Sequence, residues 1–221
     1  MKGAVYRELE DAEAAWQADQ DAASLAADHR AASFVMPLVL FSLVLDSTML
    51  GRWDDAQRHV EQVGQLLTET KRTDYLHQLT HVKGRLLLAL GKGAQARELA
   101  VRLSDSVDAS DMLHWRVPAS LLLADTFAAL SATEDAAVAY GAAAEHAERL
   151  GCRPGLWRAL AGLAEARLVQ GQTAEAARLS DHAGTIIRQL ATTVPEESMR
   201  DAFLSSPHVK RVFTMAGLNV R

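Results

Sequence analysis

An internal repeat constrains this chain more than any other feature. Written out at a step of 40 residues from Gly51, the sequence returns Gly91, Ser131 and Gly171 in one column, and a second column returns Ala56, Ala96, Ala136 and Ala176. The register holds without an insertion. A strict period of this length is the signature of a solenoid, in which each repeat buries its apolar face only against its neighbours. Two further columns hold small or modest residues: Gly64, Ser104, Ala144 and Gly184, and Val44, Gly84, Ala124 and Ala164. These are expected to mark close approaches of helix backbones. Between them run apolar columns such as Val39, Leu79, Ala119 and Ala159, and Leu67, Val107, Ala147 and Ile187. Apolar spacings of three and four residues dominate each segment, as helices require.

Composition agrees with that period. Alanine is abundant, proline contributes only 5 residues and aromatics 5%, a balance that favours helix and starves strands. The punctuation places first helices at about 34–50, 74–90, 112–130 and 154–170, and second helices at about 53–70, 93–109, 133–150 and 173–191. Gly51, Gly91 and Gly171 suit the left-handed turns that end first helices. Pro154 suits a first turn, and Thr73 and Ser110 are expected N-caps. The expected architecture is all-α, one repeat domain over 1–221. It is a right-handed superhelix of four helical hairpins at 34–71, 73–110, 112–151 and 154–191. A long N-terminal helix at 6–30, packed through Leu9, Trp16 and Leu25, is expected to cap one end, and one or two short helices at 195–217 the other.

At these columns the chain resembles the tetratricopeptide repeat. The resemblance rests on the run Gly51-Arg52-Trp53-Asp54-Asp55-Ala56 with Val60, on Gly91-Lys92-Gly93-Ala94-Gln95-Ala96, on Thr133-Glu134-Asp135-Ala136 with Tyr140, and on Gly171-Gln172-Thr173-Ala174-Glu175-Ala176. It covers about residues 34 to 191. The period is longer than the family's usual one, and the closing proline is missing. Longer units of this kind are similar to the sensor arms of bacterial transcription activators related to the maltose-regulon activator, and to the repeat regions of predicted ATPases. The tail from Thr193 to Val212, with Arg200 and the Phe203-Leu204 pair, is similar to the segment that closes those arms. The resemblance implies a cytoplasmic scaffold in a bacterial signalling or transcription-control system that binds a protein or peptide segment or a small effector.

Charge and motifs narrow the chemistry. A net charge of −5 gives no attraction to a phosphate backbone or an anionic bilayer, so nucleic acid and membrane are not expected partners. The apolar run Phe34 to Leu45 contains Pro37 and is too short to span a bilayer. One cysteine, Cys152, permits no internal disulfide and no thiolate zinc site. Gly91-Lys92-Gly93 lacks the Ser or Thr of a phosphate loop. His77 and His81 share a helix face but have no further ligand in a metal pattern. The remaining histidines, His29, His59, His114, His146, His182 and His208, read as structural or surface residues. The acidic pairs Asp54-Asp55 and Glu134-Asp135 open second helices, where negative charge favours the helix N-terminus. No cofactor, metal or catalytic constellation is expected, and the chain reads as a non-enzyme.

The expected site lies on the first helices, which in the resembling family line a groove. It comprises Gln78, His81, Arg85, Leu121, Asp125, Arg158 and Glu165. Arg85, Asp125 and Glu165 share one column and should form a charged row. Trp115 and Trp157 either add aromatic anchors or staple one hairpin to the next. Self-association of the groove with a second copy is the alternative.

Overall fold

The computed structural model describes residues 2–27, 32–71, 75–110 and 112–217. Among them are twelve helices and no strand: α1 (Lys2–Glu8), α2 (Ala12–Ala27), α3 (Ala32–Met49), α4 (Trp53–Glu69), α5 (Leu76–Ala89), α6 (Gly93–Ser110), α7 (Leu113–Ala129), α8 (Thr133–Arg149), α9 (Arg153–Val169), α10 (Thr173–Thr192), α11 (Glu197–Ser205) and α12 (Pro207–Met215). Within the units described below, α3 packs on α4, α7 on α8 and α9 on α10, as three of the expected hairpins require. The fold is an all-α helical repeat.

The turn column explains the period. Gly51, Gly91 and Gly171 have φ of 68°, 70° and 76°, and Ser131 holds the same left-handed turn at 59°. The backbone N–H of the following residue then bonds back across the turn, as Arg52 does to Ser47 and Ala132 to Phe127, closing the helix end that would otherwise leave open carbonyls. The alanine column is buried throughout, with Ala56 and Ala96 at 0% exposure, Ala136 at 1% and Ala176 at 3%. Two expectations fail locally. Gly64 has no neighbouring atom within 4 Å of where a Cβ would stand, so no backbone approaches it. Ser110 is the last residue of α6, where its hydroxyl donates to the Ser106 carbonyl at 2.7 Å, and Met112 is the N-cap of α7. Thr73 and His29 lie outside the described residues.

The chain divides into two compact units, residues 1–99 and 100–221. In the first, Leu40, Phe41 and Val44 of α3 meet Val63 and Leu67 of α4 and Val82 of α5 in one buried cluster. The expected single N-terminal helix is two, α1 and α2, separated at Glu10 with φ 61°. Leu9 is buried and the Arg52 guanidinium stacks 4.2 Å from the Trp16 ring, but Leu25 is 64% exposed. The inward face of α2 is instead Ala15, Asp19 and Ala26. Arg7 of α1 joins that face to α3. Its guanidinium donates to Asp46 Oδ1, to Asp19 Oδ2 at 3.3 Å and to Ser42 Oγ at 3.1 Å. A Cβ on residue 3 would lie 2.4 Å from the Asp19 carboxylate, which is why α1 carries glycine there.

The second unit is built around alanines and a few aromatics. Ala124, Ala136, Ala139 and Tyr140 form one cluster with Leu121, Phe127 and Leu163 packed on it. The Tyr140 ring occupies the space a Cβ on Gly162 of α9 would need, at 2.4 Å, and its hydroxyl donates to Asp125 Oδ1 of α7 at 2.6 Å. One tyrosine therefore ties three helices. Phe203 of α11 stands edge-on to Trp157 of α9, with centroids 6.5 Å apart, and Val209, Val212 and Phe213 of α12 are buried. Trp157 is thus a staple between the last hairpin and the closing helices.

Candidate functional site

The expected groove residues fall in both units. In the first, Gln78, His81 and Arg85 sit on α5 and are each half-buried. Burial, helped by the neighbouring Arg85 guanidinium, pushes His81 down to about 3, so its imidazole is neutral. In the second, Asp125 on α7 and Glu165 on α9 are close enough for Asp125 to raise the Glu165 carboxyl, although burial is the larger cause. Glu165 is also met by the chain itself, because Arg211 of α12 pairs with it at 2.9 Å. Arg158 donates to the Pro154 carbonyl at 3.2 Å and stacks 4.8 Å from the Trp157 ring. Leu121 packs into the Ala124–Tyr140 cluster. Asp125 and Glu165 are thus brought together, while Leu121 is core and Arg158 lies along its own helix.

A different set of side chains converges on a cavity of about 200 Å³ within the second unit. Residues spaced three and four apart lie on one helix face, and three such faces meet here. From α6 come Ser104, Val107 and Asp108. From α7 come Arg116, Ala119, Ser120 and Leu123. From α8 come Ala139, Ala142 and His146. The alanines make the space, since their side chains are too short to close the gap between three helices.

Its walls differ from end to end. Ser120 Oγ and His146 Nδ1 are hydrogen-bonded at 3.2 Å, which sets α7 and α8 level with each other at that point. Burial lowers the His146 imidazole, followed by the positive charges of Arg149 and Arg116, while Asp108 and Glu145 act the other way. Arg116, Asp108 and His146 therefore gather at one end. Leu123 and Ala139 lie about two turns along α7 and α8 at the other end, where Ala139 joins the apolar cluster.

Ser120 sits in the body of α7, where helix bonds use the backbone N–H groups. Among the described residues, no group of three His, Cys, Asp or Glu side chains is placed to hold a metal. What the arrangement offers is two hydroxyls, an imidazole and charges of both signs around a small hole with one apolar end.

A sequence signal for this site exists in the repeat columns. Arg116 stands where the other repeats carry Met36, Leu76 and Leu156, and His146 where two of them carry Leu66 and Ile186. Ser120 shares its column with Leu40, Thr80 and Leu160. Thr80 and Ser106 show that the second repeat also carries polar residues in two of these columns, but Arg116 is the one charged residue in its column. No protein-family model matches the chain, and no curated protein matches it. Among the described residues, no helix is long and apolar enough to cross a membrane.

Proposed function

We propose that the chain is a helical-repeat binding scaffold of the tetratricopeptide kind, a non-catalytic sensor that takes up a small effector or a short partner segment in a bacterial signalling or transcription-control context. The observation that carries the effector reading is the cavity of the third repeat, where Arg116, Ser120 and His146 interrupt otherwise mainly apolar columns and converge with Asp108 on one hole. A scaffold that only stacked hairpins would have no need of an arginine and an imidazole beside that hole. The test is to follow the His146 ring resonances of the full chain while adding pools of small metabolites: amino acids, organic acids and sugars. A saturable shift that Ala142→Leu abolishes supports the reading; a His146 signal that no pool moves removes it.

Self-association is the second reading, and one observation favours it. Phe34, Val35 and Leu38 are exposed together at the start of α3, at 67%, 41% and 44%, a patch that a second copy would cover. Sedimentation over a range of concentrations tests it. A dimer lost on Leu38→Asp supports this reading, and a monomer throughout removes it.

A further inference from the structure

We propose that the cleft between α2, α3 and α4 binds an uncharged aliphatic amphiphile, a straight chain ending in a hydroxyl, with the hydroxyl donated to His59 and the chain laid along α3 towards Met36. The cleft lies wholly within the first unit, so this site is independent of the third-repeat cavity.

His59 supplies the polar anchor. It is 7% exposed, lines the cleft and hydrogen-bonds to the backbone of Leu43, yet among the described residues its Nδ1 is shut off from solvent and has no partner. A buried polar atom left unpaired costs free energy and calls for an explanation. Burial is the first cause that lowers this imidazole, with Asp55 opposing and Arg58 reinforcing, so the ring is neutral at pH 7. In a neutral ring one nitrogen donates and the other accepts. The bond to Leu43 uses the donor, which leaves Nδ1 with a lone pair. The ligand group it selects must therefore donate. Because the ring is part of the cleft wall and rotation about its Cβ–Cγ bond is soft, Nδ1 can turn to a donor seated in the cleft.

Charge excludes other heads. Among the described residues that line the cleft, Glu69 carries the one charge, and its Oε1 already accepts from Gln65 Nε2 at 2.8 Å. Arg58, beside His59, is paired with Asp55 at 2.8 Å. A carboxylate or phosphate head thus finds no cation in the wall. An ammonium head would lose its water beside a neutral ring, with Glu69 about 15 Å away along α4.

Shape selects the chain. Leu40 and Leu43 floor the cleft, and Met36 and Leu66 extend its apolar wall away from His59, over about 10 Å along α4. The short side chain of Ala23 on α2 leaves the space open. A volume of about 440 Å³ equals about fifteen waters at about 30 Å³ each, which holds an octyl chain. Water on that floor has few groups to bond, so an aliphatic chain that displaces it is favoured.

The experiment uses the full chain with n-octanol as the probe, set against octanoate, octylamine and heptyl methyl ether, which keeps the length and the oxygen but cannot donate. Calorimetry gives affinity and the His59 ring nitrogen resonances give location. The expected result is saturable n-octanol binding that moves Nδ1, with each of the other three weaker by about tenfold or more, the scale of one lost buried hydrogen bond. His59→Phe should bind n-octanol and the ether equally, and Ala23→Leu should abolish binding of both. If Ala23→Leu does not fold, the His59→Phe comparison, with circular dichroism as control, decides the matter. Octanoate or octylamine binding as tightly as n-octanol overturns the proposal in favour of a charge-selecting site. The ether binding as tightly to the parent chain overturns His59 as the anchor and the proposal with it. An Nδ1 shift that follows protein concentration without any probe assigns the cleft to a second copy and overturns it, as does an Nδ1 signal that no probe moves.

Discussion

The first and third repeats each enclose a cleft in the same place, and the two differ in what lines it. In the first unit, α2, α3 and α4 surround an open cleft of about 440 Å³ that touches Met36, Leu40, Leu43, His59, Gln62 and Leu66. One step of the double repeat away, the same columns in the second unit are Arg116, Ser120, Leu123, Ala139, Ala142 and His146. The hairpin geometry places a cleft there in both cases. The lining residues then decide its chemistry: an apolar floor with glutamines above it in one, and a charged, hydrogen-bonding end in the other. The third wall differs as well. In the second unit it is α6, a repeat helix with Ala100, Leu103 and Val107 buried. In the first it is α2, held by Arg7 between Asp19 and Asp46.

That contrast in walls predicts the largest effect. Above about pH 7, where Asp46 is ionised, removing one partner of the buried ion pair leaves an uncompensated charge and costs about 3–5 kcal/mol, so Arg7→Ala should there strongly destabilise the packing of α1 and α2 on α3. Hydrogen exchange should show the amides of α2 losing protection while those of α7 and α8 keep theirs. Equal loss in both units would show that the two walls are not independent. The same network has a pH signature. Burial raises the Asp46 carboxyl to about 7, against the lowering effect of Arg7. Its folded value lies above the unfolded one, so the stability it contributes is fully present below about 4 and is lost as pH rises to about 7. Protection of α2 should therefore increase on acidification from pH 7.5 to 5.5, and Asp46→Asn should flatten that slope.

The next effect is set by leucines in matching columns. Leu43 is 2% exposed and Leu123 is half-buried. Leu43→Ala should cost about 2–5 kcal/mol, and Leu123→Ala less, because it lines a hole that already exists. Denaturant melts of the two variants measure the difference, and an equal cost would mean that the third-repeat cavity is not open in solution. Gly162→Ala should follow at about 1–3 kcal/mol, as its new Cβ displaces the Tyr140 ring and with it the bond to Asp125. Double-mutant analysis with Tyr140→Phe should show the two changes to be non-additive.

Most of the fold was legible because it depends on local rules. Column-fixed alanines and left-handed turn residues recur at one step, and the helix ends follow from them. Two things were hidden. A helix break at Glu10 needs no glycine or proline, so the sequence of α1 and α2 reads as continuous. The cavity depends on what three helices leave unfilled, and alanine looks the same in a sequence whether it sits in tight packing, as Ala136 does, or beside a hole, as Ala142 does. Of the expected groove, the proximity of Asp125 and Glu165 followed from the shared column. The reach of Arg211 onto Glu165 did not, since it belongs to a closing helix outside the repeat. The polar interruptions at Arg116 and His146 were present in the columns and stand out only once the cavity shows which columns face it.

The smallest expected effect sharpens the comparison through the two cleft histidines. Burial is the first cause lowering both His59 and His146, but their surroundings differ. His59 is 7% exposed, with Asp55 opposing and Arg58 reinforcing the shift. His146 is half-buried and hydrogen-bonded to Ser120, with Arg149 and Arg116 reinforcing and Asp108 and Glu145 opposing. In each case the folded value lies below the unfolded one. The stability each contributes is therefore full above about 6.5 and declines as pH falls below that towards the folded value. Replacing either residue with glutamine, which cannot titrate, should reduce the loss of stability between pH 7 and 5, and the reduction should be larger for His59→Gln because its imidazole has less access to water. Melting temperatures of the two variants and the parent at both pH values supply the measurement. A larger change for His146→Gln would mean that the third-repeat cavity excludes water more completely than the first-repeat cleft, reversing the order of polarity drawn above.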